Sequence, residues 1–470
     1  MRLLAIAAAA IVVSPVFTEP WPQFRGLLGK ASADGRALPD AIGPGRNVIW
    51  KVSLPAGHSS PIVHGDRIYL TAVRDAALLT IALDARDGKL LWEAEAPHKK
   101  REKIHRIGSY SQATAATDGD CVVSFFGSSG LLCYEKTGKL RWHVPMGPFK
   151  NEFGAASSPL IVGDVVLLAQ DHDEASFVMA VDRRSGKTLW RTDRSEFPCS
   201  FCSPALWETG GRRQLVVAGS LRVAGYDVES GKEVWTVRGL SRVVNMTPTV
   251  GPDGTLYVAG WAAGADADDH FDFPTFDEML PKNDANKNGT LEADEIPEGP
   301  LKSRFPQIDR DKDGHATRRE WEDMRRIFDA ARNRLIAIKP GGSGDVTETH
   351  VLWERTKDIP YVSSPLCYRG LLFLAKDGGL IAAVDAKTGK SEKQERIVPG
   401  ATYYSSPVGG DGKVYLCTQR GDVSVISAEP RWRVLSRSRF DEDIYATPAI
   451  VDGRIYVRTS GHLWCFAKQP

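Results

Sequence analysis

One signal recurs along this chain and constrains its fold more than any other: a hydroxyl residue and a proline ahead of a short apolar run. It reads Ser60-Pro61-Ile62-Val63, Ser158-Pro159-Leu160-Ile161, Ser203-Pro204-Ala205-Leu206, Thr247-Pro248-Thr249-Val250, Ser364-Pro365-Leu366, Ser406-Pro407-Val408 and Thr447-Pro448-Ala449-Ile450, with a degenerate copy lacking the proline at Thr114. A turn and a β-rich run follow each copy, as in Arg67-Ile68-Tyr69-Leu70 and Arg454-Ile455-Tyr456-Val457. An apolar strand ending near Asp comes next, then a tight Gly-Lys turn and a strand bearing Trp: Thr137-Gly138-Lys139 to Trp142, Ser185-Gly186-Lys187 to Trp190, Ser230-Gly231-Lys232 to Trp235, with Trp353 and Trp432 holding that place later. Ser158 and Ser203 stand 45 residues apart, Ser406 and Thr447 41. Four short strands per repeat at this spacing form a propeller blade. A single blade cannot bury both faces, so it stacks on its neighbours, and a Trp wedge between blades contributes roughly 2–3 kcal/mol.

Eight copies predict an all-β, eight-bladed propeller. The last copy supplies only three strands, ending at His462-Leu463-Trp464-Cys465-Phe466, while Asn47-Val48-Ile49-Trp50-Lys51-Val52 is an orphan strand near the N-terminus. Pairing residues 47–54 beside 462–467 closes the ring and leaves no open edge, so a monomer is expected.

The spacing breaks once. Thr247 and Ser364 are 117 residues apart, roughly 70 more than one blade needs. The excess falls between the second and third strands of blade five and carries two twelve-residue loops. The first places Asp284, Asn286, Asn288, Thr290 and Glu295 at loop positions 1, 3, 5, 7 and 12, and the second places Asp309, Asp311, Asp313, His315 and Glu320 there. Oxygen ligands at 1, 3 and 5, Gly289 or Gly314 at 6, a backbone carbonyl at 7 and a bidentate Glu at 12 are the EF-hand calcium pattern, and two calcium sites are expected. Glu292 takes the ninth place of the first loop, Ala316 stands where a branched aliphatic usually joins the loops, and Pro281 and Pro306 shorten the entering helices. The last helix is expected from Arg318 to Asn333, with Trp321, Met324, Ile327 and Phe328 on its apolar face.

Charge excludes some classes. The chain has 60 basic and 59 acidic residues, so nothing in bulk draws it to nucleic acid. Arg2 and the apolar run Leu3 to Val13 read as an export signal too short to span a bilayer, with an uncleaved N-terminal anchor as the alternative, so a periplasmic or secreted protein with no transmembrane span after cleavage is expected. The resulting division is a signal peptide over 1–18, propeller over 19–264, EF-hand pair over 265–332 and propeller over 333–470. Of seven cysteines only Cys199 and Cys202 are close in sequence; they form either a small disulfide or two buried strand thiols.

Trp21-Pro22-Gln23-Phe24-Arg25-Gly26, the recurring Asp-x-x-x-Gly-Lys-x-x-Trp and Ala446-Thr447-Pro448-Ala449-Ile450 resemble the bacterial PQQ-binding-like β-propeller repeat proteins over most of Trp21 to Ala467. That superfamily includes quinoprotein alcohol dehydrogenases and the outer-membrane assembly factor BamB. The resemblance implies the fold; it does not by itself imply an activity. Quinoprotein dehydrogenases carry adjacent cysteines, a carboxylate base and a stacking Trp around pyrroloquinoline quinone (PQQ). This chain lacks the adjacent cysteines, and its sequence marks no base. The loops entering each innermost strand ring one mouth of the channel. They bring His58, Tyr110, Phe201, Asn245, Tyr361, Tyr403, Tyr404 and Tyr445 there, with a basic loop holding Lys99, Lys100, Arg101, Lys103, His105 and Arg106, and with Arg194 and Arg242 nearby. Aromatic rings among cations suit a glycan, a small anionic ligand or a protein partner. The expected function is a calcium-binding envelope module for binding or scaffolding, with PQQ-dependent oxidation of an alcohol or sugar as the alternative.

Overall fold

The computed structural model describes residues 19–34, 37–266 and 269–469. The export signal over 1–18 lies outside them. Eight antiparallel sheets follow one another around a ring, seven of four strands and one, the fourth blade, extended by a short parallel strand at Gly344–Asp345. In each blade the second and third strands are buried along their length, as in Cys121–Phe126, because adjacent blades cover both faces. The outermost strand alternates, as Thr188–Asp193 does, because only one face meets protein. The eighth blade is completed by β1 (Val48–Ser53), whose residues Trp50 to Ser53 pair with Cys465 to His462. Buried Arg458 reinforces that seam, donating to Ser59 O, Ser59 Oγ and Thr71 O at 3.0, 2.7 and 2.8 Å.

The repeat signature has a local explanation. The indole N–H of Trp92 donates to Lys136 O in the next blade at 2.7 Å, that of Trp142 to Arg183 O at 2.8 Å, and that of Trp190 to Val228 O at 3.0 Å. Each ring lies on the next blade's turn glycine. A Cβ on Gly138 would meet Trp92 at 2.8 Å, one on Gly186 would meet Trp142 at 2.8 Å, and one on Gly231 would meet Trp190 at 2.3 Å. These glycines also have positive φ, so the motif needs glycine for both turn and contact. The motif's Asp closes the turn: Asp182 Oδ1 accepts from Ser185 N and Oγ at 2.8 and 2.6 Å, which holds its carboxyl below the usual range. Two tryptophans depart from the expected role. Trp235 turns inward to Gln214 Oε1 at 2.6 Å, and Trp432 lies just before its outer strand, buried under Lys393.

The hydroxyl of the Ser/Thr-Pro signal links blades. Ser60 N donates to Thr114 Oγ1, Thr114 N to Ser158 Oγ, and Ser158 N to Ser203 Oγ, at 2.9 to 3.0 Å. A second run links Thr247, Ser364, Ser406 and Thr447 in the same way at 3.0 Å, and Thr447 N donates to Ser60 Oγ, so first and last blades join at the channel wall. At the far end of the channel the Trp21–Ala33 segment crosses between blades. Trp21 bridges to Val63, Ala33 N donates to Gly409 O, and buried Arg25 donates to Thr249 Oγ1 at 3.1 Å and to Pro365 O.

Between the second and third strands of blade five, Leu256–Gly260 and Arg334–Ile338, lies a helical insert. It contains α1 (Phe276–Asn283), α2 (Pro300–Ser303), α3 (Phe305–Ile308) and α4 (Arg318–Ala330). Its own core gathers Phe273, Phe276, Leu291, Ile308, Ala316, Trp321 and Phe328. Thr317 caps α4 in a reciprocal capping box with Glu320. The helix stops at Ala330, short of the expected Asn333, because Asn333 is clamped to Ala262 N and O at 2.8 Å each. Among the described residues no helix is long and apolar enough to cross a membrane.

Candidate functional site

The channel mouth opens into a cavity of about 720 Å³. Phe24 lies in its wall, as do the hydroxyl residues of the blade-linking relay, and the insert contributes Gln307, Arg310, Lys312, Met324 and Ile327. The blade-entry loops supply the rings. His58 stacks on Tyr445 at 3.9 Å and 13°, and Tyr404 lies 5.2 Å from Tyr445. Trp261 meets Tyr361 edge-on at 5.2 Å, and Phe153 meets Phe201 at 5.6 Å. Burial, then the nearby Arg458 charge, pulls the His58 imidazole down to about 4, so it is neutral at physiological pH.

Three cations face this space: Arg242, Arg310 and Lys312. Arg242 packs over the Phe328 ring at 4.9 Å, and its Nε is buried without a partner. Burial lowers its pKa, and among the described residues no carboxylate pairs with it. Carboxylates of Glu152, Asp173 and Glu174 share the wall; Asp173 accepts the Cys199 thiol and Glu174 pairs with Lys150.

Of the residues expected at the mouth, His58, Phe201, Asn245, Tyr361, Tyr404 and Tyr445 line the cavity together with Arg242. His105, Arg106 and Tyr110 do not. The His105 ring packs on Phe153 at 5.5 Å, Tyr110 lies under Arg101 at 4.6 Å, and Arg106 is exposed. Tyr403 is buried in the ring core. Arg194, expected nearby, is buried in an ion pair with Asp171 at 2.8 Å, next to the lining residue Ser195. Cys199 and Cys202 are both free, and Cys199 is neither bridged nor in a strand, because its thiol turns to Asp173. Sequence reading missed Phe24, Glu152, Asp173, Trp261, Arg310 and Lys312 as cavity residues. They come from the N-terminal segment, the inter-blade connections and the insert, which have no fixed offset from the Ser/Thr-Pro signal.

The two twelve-residue loops share one geometry. Gly289 N donates to Asp284 Oδ2 at 3.0 Å and Gly314 N to Asp309 Oδ2 at 3.1 Å. Thr290 N donates to Asn288 Oδ1 and His315 N to Asp313 Oδ1, each at 2.8 Å. Lys287 and Lys312 both have positive φ at the fourth place. Leu291 and Ala316 pair through their backbones at 3.2 and 2.7 Å, and His315 Nδ1 lies 2.7 Å from Glu292 Oε1. Asp309, Asp311 and Asp313 place ligand oxygens within 4.8 Å of one another, a cluster able to chelate a metal ion. Asp309 is 6% exposed, and its Oδ1 is buried without a partner.

A ring of eight blades around a lined central cavity makes this an eight-bladed β-propeller. The chain belongs to the family described as "Outer membrane protein assembly factor BamB", whose profile matches residues 44–148, 82–260 and 323–467. Polyvinylalcohol dehydrogenase of a Pseudomonas species is 23% identical over 267 residues, which are 45% of this chain and 40% of that enzyme. Quinohemoprotein alcohol dehydrogenase ADH-IIG of Pseudomonas putida is 28% identical over 152 residues, 30% of this chain and 20% of that enzyme. The chain therefore matches well under half the length of either relative. Among solved structures, BamB from Moraxella catarrhalis superposes with a TM-score of 0.57 at 14% identity, covering 90% of this chain and 99% of that one. A europium-containing methanol dehydrogenase gives 0.52 at 10% identity, covering 96% and 98%. These likenesses establish the fold.

Proposed function

We propose that this is an exported quinoprotein-type propeller whose central cavity binds a planar, multiply anionic ligand, PQQ being the ligand of that class to which its relatives point. The observation that carries this reading is the cavity's donor set: stacked rings beside an unpaired, half-buried Arg242, with Arg310 and Lys312 above. A flat tricarboxylate matches this set: rings take its faces and guanidinium groups take its carboxylates. Arg242, with its orphaned Nε, would hold one carboxylate; Tyr445, Tyr404 and Trp261 would flank the ring system. When bound, PQQ supplies a two-electron acceptor for alcohol oxidation. Glu152 and Asp173 are the wall carboxylates able to take a proton from an alcohol hydroxyl, a role the sequence left unassigned. Both curated relatives being dehydrogenases moves this reading ahead of the scaffold expected from sequence.

The insert fits a pair of EF-hands that each take calcium. The orphaned, buried Asp309 carboxylate supports this, as do the matched loop hydrogen bonds and the Leu291–Ala316 pair. Exported proteins meet abundant calcium, so the sites would be filled in service.

The second reading is a BamB-like scaffold in the cell envelope, favoured by the family match and by the lack of adjacent cysteines. Dye-linked oxidation of primary and secondary alcohols after loading with PQQ and calcium separates the two. Turnover that Arg242→Ala reduces at least tenfold is expected. No turnover, with no quenching of tryptophan fluorescence by PQQ, leaves the scaffold.

A further inference from the structure

The second calcium loop has two faces. Asp309, Asp311 and Asp313 converge on one another, whereas the residues between them, Arg310 and Lys312, line the central cavity. The adjoining helix is divided in the same way. Trp321 and Phe328 of α4 are buried in the insert core, while Met324 and Ile327 also reach the cavity. Arg242, the cavity's unpaired guanidinium, packs against Phe328 of that helix. A cation in the loop neutralises three converging carboxylates and fixes the loop backbone, so it fixes the direction of the two alternate side chains.

We infer that the helical insert is the lid of the central cavity, and that metal in the Asp309–Glu320 loop closes it by presenting Arg310 and Lys312 to an anionic ligand. The inference rests on the calcium reading above and gives the cavity a regulator. Coupling between the two sites is reciprocal: metal tightens ligand binding by the factor by which ligand tightens metal binding. Arg310 and Lys312 are then positioning residues whose charge counts only when the loop is ordered.

Cys199 serves as the probe for the lid. It lines the same cavity and is the half-buried one of seven free cysteines, the other six being buried. The full-length protein would be alkylated with iodoacetamide in calcium and in EGTA, with modification at Cys199 followed by peptide mass spectrometry. Calcium should slow alkylation about fivefold or more, and Glu320→Gln should abolish the difference. In parallel, PQQ affinity should rise about tenfold in calcium, and Arg310→Ser with Lys312→Ser should lose that gain while retaining calorimetric calcium binding. Unchanged Cys199 alkylation with normal calcium binding overturns the lid. Absent calcium binding overturns the loop assignment and the lid with it. If PQQ fails to bind while calcium still protects Cys199, the lid stands and the choice of ligand falls.

Discussion

Arg194 and Asp171 make two parallel hydrogen bonds of 2.8 Å between side chains exposed by 0% and 4%, and Arg194 also donates to Tyr226 in the next blade. Arg194→Met keeps an unbranched apolar stem but removes the guanidinium that lies over the Phe197 ring at 4.0 Å, and it strips the Asp171 carboxylate of both donors. A buried charge left without its partner costs about 3–5 kcal/mol, a hundredfold or more in the folding equilibrium. Burial already pushes the Asp171 carboxyl up with Arg194 beside it, and without the guanidinium it rises further. A carboxyl whose folded pKa is raised loses stability as pH rises through that value, so the variant's deficit should shrink as pH falls toward 4. Urea denaturation from pH 4 to 8 measures both effects. Asp171→Leu with Arg194→Met should recover most of the loss. A deficit below 1 kcal/mol at pH 7, or one that does not depend on pH, refutes the reasoning.

Gly231→Ala adds a Cβ that would meet the Trp190 ring at 2.3 Å, at φ 70°; thermal unfolding should show a loss of about 2–4 kcal/mol. The His58 imidazole is held at about 4, so the wild type should lose up to about 3 kcal/mol between pH 6.5 and 4 as the unfolded chain takes a proton the folded one refuses. His58→Gln should flatten that slope in pH-dependent denaturation. Calorimetric calcium titration should show two binding phases. Glu320→Gln should remove the tighter one, because its loop offers four carboxylates where the other offers Asp284 and Glu295 directly; loss of the tighter phase in Glu295→Gln instead would reverse the ranking.

The ring was legible because propeller packing repeats a local demand. Most blades place a glycine under a neighbour's Trp, a carboxylate at the turn and a hydroxyl against the adjacent backbone, so Gly186, Asp182 and Ser158 recur with their partners. The orphan strand at Val48–Ser53 was legible for the same reason: a missing strand must be supplied from somewhere. The cavity was legible only in part. His58, Asn245 and Tyr445 follow the repeat's phase, whereas Phe24 arrives from a segment crossing the channel and Arg310 and Lys312 from an insert, 54 and 52 residues from the nearest blade signal at Ser364. Of the basic loop expected at the mouth, His105 and Arg106 lie outside the cavity lining, and the burial of Arg194 was not legible because its partner Asp171 lies 23 residues away in a different connection.

The central claim is that the cavity holds a planar anion beneath a metal-bearing insert. Native mass spectrometry of the protein purified from its own host tests it most directly. Two calcium ions and one small aromatic polycarboxylate per chain are the predicted result. A chain that carries no small molecule, and retains none after incubation with PQQ and calcium, would contradict it.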